Sequence, residues 1–325
     1  MQQLLSSNTT TTDTTCSLAV PSHDAIITLC VVLSLIAIIA SFGNILTILV
    51  IVINPLKNLH NPFIYFLLNL SVADALQGLI SIPFVVYYLS KHKHGLHITS
   101  IFLNVLTLIS MLSVFFSTIV ISVDRCIAIT RPIEYRTILS WQRCLKLSLA
   151  MWLIAILSGL FLIVFPYKNP YLAYYSYFIL AVGIIAMLIL FFRVHRFLKK
   201  HEETFREKLR SASITSTAQR YNTEKKVTKV LLMVLSVFMV TYVPALVMLN
   251  ITKFCLQCSC SIRFDLFMVR YILLVSNSAV NPFIYTIRLK DFRNSLKSLF
   301  HGATRKRETR SLTSSESCAP LTGDE

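Results

Sequence analysis

Residues 26–53 read IITLCVVLSLIAIIASFGNILTILVIVI, 28 residues in succession without a Lys, Arg, Asp or Glu. A run longer than roughly 18 apolar residues can cross the hydrocarbon core of a bilayer as a single helix. Six more such runs follow, at 62–89 broken only by Asp74, and at 96–123, 147–167, 171–192, 230–252 and 271–287. The last is short, but residues 266–269 extend it past Arg270, whose long side chain can snorkel outward. Of 325 residues, 55% are hydrophobic, 14% are charged and only 7 are Gly, and the mean hydropathy is +0.66. That balance excludes a soluble enzyme. The expected fold is all-α, a seven-transmembrane helix bundle over 26–287. A polar tail (1–25), a short amphipathic eighth helix (288–300) and a disordered tail (301–325) flank it.

Lys and Arg set the expected orientation, because short loops rich in them stay cytoplasmic. The loops between spans one and two, three and four, and five and six, and the segment after span seven, hold 1, 5, 11 and 8 of them, against 2, 1 and 3 in the opposite loops. Residues 1–27 hold none, so the N-terminus is expected outside, in a multi-pass plasma-membrane protein. The net charge of +16 is then a basic rim facing anionic membrane lipid, and nucleic acid is dropped as a partner. No cleavable signal is visible in the Thr-rich start, so span one is expected to act as signal anchor. Asn8-Thr9-Thr10 is an expected glycosylation site, whereas the matches at Asn69 and Asn250 fall within spans or at their edge.

An ionised Asp at a helix centre costs roughly 2.5–3.5 kcal/mol on insertion scales, so Asp74 calls for partners. Asn44 in span one and Asn277, Ser278 and Asn281 in span seven are the natural ones. Interhelical glue without a switching role is the plainer reading of the same cluster.

Asp124-Arg125 stands at the inner end of span three and Asn281-Pro282-Phe283-Ile284-Tyr285 at the inner end of span seven, while Phe238 and Pro244 punctuate span six. Gly43-Asn44, residues 70–74, Trp152 and Pro132-Ile133 complete a set whose order, spans and spacing resemble the rhodopsin-like G-protein-coupled receptors over residues 26–300. The resemblance implies an extracellular ligand, a heterotrimeric G protein on the inner face, and arrestin and receptor kinases acting on Ser/Thr-rich stretches at 211–217 and 309–317. It also implies that a freed Arg125 packs against the G protein and that Ile133 acts as a docking knob. Glu224 precedes Pro244 by twenty residues, about 30 Å of helix, which brings it to the face where Arg125 sits. An Arg125–Glu224 pair would hold spans three and six together, and Pro244, lacking an N–H, would let span six swing. Leu289, Phe292, Leu296 and Leu299 recur at helical spacing among Lys290, Arg293 and Lys297, like the family's eighth helix on the inner leaflet.

The usual disulfide from span three to the second outer loop is absent, since Ser100 stands at the span-three position. With a short second outer loop and a Cys-rich third one, this resembles the melanocortin receptors and, more loosely, cannabinoid, lysophospholipid and adenosine receptors. The four outer cysteines allow three pairings. By likeness to melanocortin receptors they would bridge Cys255 to Cys258 and Cys16 to Cys260. Phe84, Asn104, Thr107, Leu108, Met111, Tyr242, Leu246, Leu249, Phe267 and Tyr271 are the residues expected to face a ligand, and none is acidic. A desolvated cation needs a paired anion, so a neutral or anionic amphiphile is favoured over a cationic amine, with Lys91, Lys93 or Arg270 near the mouth for an anionic head. The rivals are a transporter, a membrane enzyme and a non-coupling or constitutively active orphan receptor. Internal repeats and catalytic constellations are not visible, and no cofactor or metal is expected.

Overall fold

The computed structural model describes residues 22–57, 62–91, 97–130, 134–138, 140–164, 170–211, 215–255 and 258–300. Seven helices among them are long and apolar enough to cross a membrane, and the described residues contain no strand. Span one is His23–Ile53 and span two runs from Pro62–Leu76 through a π-helical turn, Gln77–Ser81, into Ile82–Lys91. Spans three to seven are His97–Thr130, Trp141–Val164, Pro170–Ser211, Thr215–Phe254 and Cys260–Arg288.

Several helices outrun the uncharged stretches that announce them. Backbone hydrogen bonding continues through charged residues once a helix is nucleated, because Lys, Glu and Arg are good helix formers. Span five therefore continues through Lys199 and Lys200 to Ser211, and span six begins at Thr215. The Ser/Thr-rich stretch at 211–217 is therefore helical at Ser211 and at residues 215–217. The ends are set by local chemistry. Ser22 caps span one by accepting from the Ala25 N–H, so the helix starts three residues before residue 26. Asn54, in the left-handed region at φ 41°, closes it. Ser259 caps span seven through the Ile262 N–H, and Leu289 breaks that helix with extended backbone before residues 290–300 resume as helix.

Span three is the hub, touching spans two, four, five and six, while span seven packs between six and one. Spans one and four turn Val31, Leu35, Ile38, Phe42, Leu153 and Leu157 outward, the face a hydrocarbon solvent requires. In the eighth helix Phe292 is buried, Leu296 and Leu299 pack on the main core, and Lys290, Asp291, Asn294 and Lys297 are exposed. Helices approach closely where they lack side chains. A Cβ on Gly78 would stand 2.8 Å from the Ser41 backbone nitrogen and 3.1 Å from the Ala37 carbonyl, both on span one. At Gly159 it would meet only side chains of span three, the nearest being Ile109 at 2.6 and 2.7 Å.

Gly78→Ala is therefore expected to destabilise the protein by about 1–3 kcal/mol, because backbone cannot step aside. Gly159→Ala should lose less, since Ile109 can change rotamer. Thermal unfolding in detergent checks this ranking, and an equal or reversed ranking would contradict the packing argument.

Candidate functional site

Two ends of the bundle are chemically distinct. One carries Asp124, Arg125, Lys225, Arg288 and the eighth helix, and is called the basic end. The other carries the Cys255–Cys258 disulfide.

At the basic end Arg125 is 2% exposed and Asp124 1% exposed, so two opposite charges are withdrawn from water together. Arg125 Nε donates to Asp124 Oδ2 at 2.7 Å, and Nη2 donates to the Tyr135 hydroxyl at 2.6 Å. That hydroxyl donates in turn to Asp124 Oδ1 at 2.7 Å, closing a ring of three side chains. A phenol both accepts and donates, which lets one group satisfy the arginine and the carboxylate at once. The guanidinium carbon also lies 5.0 Å from the centre of the Phe63 ring and 5.5 Å from that of Tyr135. Tyr135 stands on a four-residue helix, Tyr135–Ile138, after span three. Glu224 lies on the part of span six toward this end, but its side chain is outside the described residues, as is all of Ile133.

A second network lies deeper. Ser278 Oγ is 2.6 Å from Asp74 Oδ1 and Asn281 Nδ2 donates to Asp74 Oδ2 at 2.8 Å. Ser278 Oγ is also 2.8 Å from Gln77 Oε1, and its single proton serves one acceptor at a time. Asn44 Nδ2 donates to the carbonyls of Ala40 and Ser278, both at 2.9 Å. The expected cluster of Asn44, Asp74, Ser278 and Asn281 is thus one connected group joining spans one, two and seven, and buried Asn277 adjoins it on span seven. The side-chain carbonyls of Asn44, Asn277 and Asn281 and the Tyr285 hydroxyl have no partner among the described residues. Tyr285 is buried one turn after Asn281-Pro282, edge-on to Phe292 of the eighth helix. The network therefore runs toward the basic end.

Between them Phe238 stacks on Tyr242 at 3.8 Å and meets Phe115 of span three at 6.0 Å, just below Pro244 in span six. The expected ligand-facing residues fall into two groups. Met111, Tyr242 and Leu246 pack in the main core, whereas Phe84 and Tyr271 pack with Leu29, Leu33 and Val275 between spans one, two and seven. Phe267 stacks on Tyr271, and Leu108 and Leu249 are half-buried. The side chains of Asn104 and Thr107 lie outside the described residues, as do Asn8, Cys16 and the side chain of Cys260. Cys255 and Cys258 are bridged, the pairing that the likeness implied. The described residues hold no cluster of three or more His, Cys, Asp or Glu fit for a metal.

Sequence reading missed three groups. Tyr135 was passed over because a tyrosine in a loop carries no periodic signal. Gln77 and Ser81 are buried by the π-helical turn, which no hydropathy pattern announces. Asn69, set aside as a chance glycosylation triplet, donates to Ser117 at 2.7 Å and accepts from Trp152 Nε1 at 2.8 Å, tying spans two, three and four. A buried Asn little more than one helical turn from Asp74, in a bundle with a span-four Trp, was the available clue.

The family model described as 7 transmembrane receptor (rhodopsin family) matches residues 43–171 and 163–285. Adenosine receptor A2a of Canis lupus familiaris is 26% identical over 309 residues, covering 84% of this chain and 72% of that protein. Melanocortin receptor 5 of Mus musculus is 30% identical over 279 residues, covering 81% of each chain. Adenosine receptor A2b of Gallus gallus is 27% identical, covering 80% of this chain and 84% of that one.

Asn69→Ala and Trp152→Phe each remove one partner of a buried bond and are expected to cost about 1–3 kcal/mol. The double variant should fall short of their sum by about 1 kcal/mol in thermal unfolding. Strict additivity would mean that the bond contributes nothing.

Proposed function

The chain belongs to the rhodopsin family of seven-transmembrane receptors, a multi-pass G-protein-coupled receptor of the plasma membrane rather than an enzyme, and we propose how it switches. The basic end faces the cytoplasm and the N-terminus the outside, a reading supported by the Lys/Arg asymmetry of the loops. The observation that carries the mechanism is the buried ring of Asp124, Arg125 and Tyr135. While Arg125 is held there its charge is neutralised and its side chain is shielded, so a G protein has no access to it.

Activation exchanges partners. Span six swings about Pro244, which lacks the N–H that would bond the preceding turn. Phe238 slides from Phe115, Glu224 leaves the neighbourhood of Arg125, and the arginine turns into the cavity that opens. Ile133 docks beside it. The Asp74 group, with Asn44, Asn277, Ser278 and Asn281, carries the signal to Pro282 and Tyr285, because its unpartnered acceptors can take new donors at low cost. Receptor kinases and arrestin act on the tail at 309–317. The ligand is a neutral or anionic amphiphile rather than a cationic amine, supported by the absence of acidic side chains among the facing residues.

Arg125→Ala is expected to abolish G-protein nucleotide exchange, whereas Tyr135→Phe and Glu224→Ala raise the basal rate by weakening the closed state. Unchanged basal exchange in both, at equal surface expression, would sink the lock. Asp74→Asn should leave surface expression intact and weaken coupling; a collapse of expression would make the cluster structural instead.

A further inference from the structure

Span seven carries a stripe that the switch does not use. Arg263, Phe267, Arg270 and Leu274 follow the spacing i, i+4, i+7, i+11, which places them on one helix face. Leu274 packs on the main core, so this face turns into the bundle, while Ile262 and Val269, one residue back, are exposed. Both arginines are half-buried. Arg263 Nη2 donates across the seam to the carbonyl of Cys255 at 2.7 Å, which fixes its guanidinium against the disulfide loop at the end of span six. Its Nε is shut off from solvent without an acceptor among the described residues. Arg270 spreads its guanidinium 5.2 Å over the Phe267 ring, which stacks on Tyr271. The two cations stand seven residues apart, about 10 Å along the helix, with the aromatic ring between them.

A guanidinium on an inward face, with a donor closed to water and bonded to a neutral carbonyl, is stabilised most by an anion whose paired oxygens match its fork. We infer that the disulfide end of the seam between spans six and seven is a head-group site for an amphiphile bearing a carboxylate or phosphate, gripped by Arg263 and Arg270, with its apolar chain against Phe267 and Tyr271. This rests on the amphiphile reading above and narrows it from neutral or anionic to anionic. The arginines select the head group. The disulfide and the Arg263–Cys255 bond keep the grip in place, so the site exists before the ligand arrives.

The test is direct binding to the full-length protein in phosphatidylcholine nanodiscs, without G protein. The probes are an octadecenoate, a lysophosphatidate with the same chain, the neutral methyl ester of the octadecenoate, and inorganic phosphate. The anionic amphiphiles are expected to bind saturably, and the relative affinity of carboxylate and phosphate identifies the head group. The methyl ester and inorganic phosphate should bind at least tenfold more weakly. Arg263→Gln and Arg270→Gln should each weaken anionic binding by about tenfold or more, and Arg270→Lys by less, because a charge remains. Equal binding of the methyl ester, anionic binding unmoved in both Gln variants, or no saturable binding to the unaltered protein would overturn the proposal. Arginine-dependent binding in a protein that fails to drive nucleotide exchange would establish the site and fault the switch instead.

Discussion

Charge inside a hydrocarbon solvent is the constraint around which this bundle is organised. Asp74, Asp124 and Arg125 are all essentially without exposure, and in a membrane no water layer stands behind the helices to rescue an unpartnered one. Each must find partners on neighbouring elements, and the partners found dictate which spans touch and in what register. Asp74 holds span seven through Ser278 and Asn281, and Asn44 holds the same segment from span one. Asp124 and Arg125 hold the connecting helix through Tyr135. Breaking a buried pair by removing one member costs about 3–5 kcal/mol, enough to make these arrangements discrete states.

That discreteness makes a receptor of a helical bundle. Apolar side chains between lipid-bathed helices supply packing but little directional preference, because lipid tails are as apolar as leucine. A hydrogen-bonded network has few satisfactory arrangements, which is what the proposed switch requires. The Asp74 group is incompletely satisfied among the described residues, with three amide carbonyls and the Tyr285 hydroxyl unpartnered, whereas the ring at Arg125 closes on itself. The first keeps acceptors open to new donors. Phe115 of span three lies between, against Phe238, which stacks on Tyr242 in the helix that contains Pro244.

How much of this was legible in the sequence depends on the strength of each signal. Hydropathy over twenty residues is strong, and the seven spans stand where the uncharged runs placed them. Asp74 and its partners were readable because a charge in an apolar run is conspicuous. Helix ends were not, because the uncharged runs stop at Phe192 and start at Val230 while the helices run to Ser211 and from Thr215. Tyr135 and Asn69 escaped because tertiary proximity gives them their partners, and nothing local in the chain encodes it. The π-helical turn at Gln77–Ser81 adds a residue to one turn and rotates the remainder of span two, a shift that periodicity arguments miss.

In the proposed switch a basic end closed around the neutralised Arg125 opens when a G protein engages it. Spin labels on Gln142 of span four and Lys226 of span six, both at that end, report the opening as a distance distribution, and Gln142 is exposed there. A single short distance is expected for the protein alone in nanodiscs, and a second, longer population when nucleotide-free heterotrimer is added. The same short distance with and without a G protein that demonstrably binds would contradict the switch.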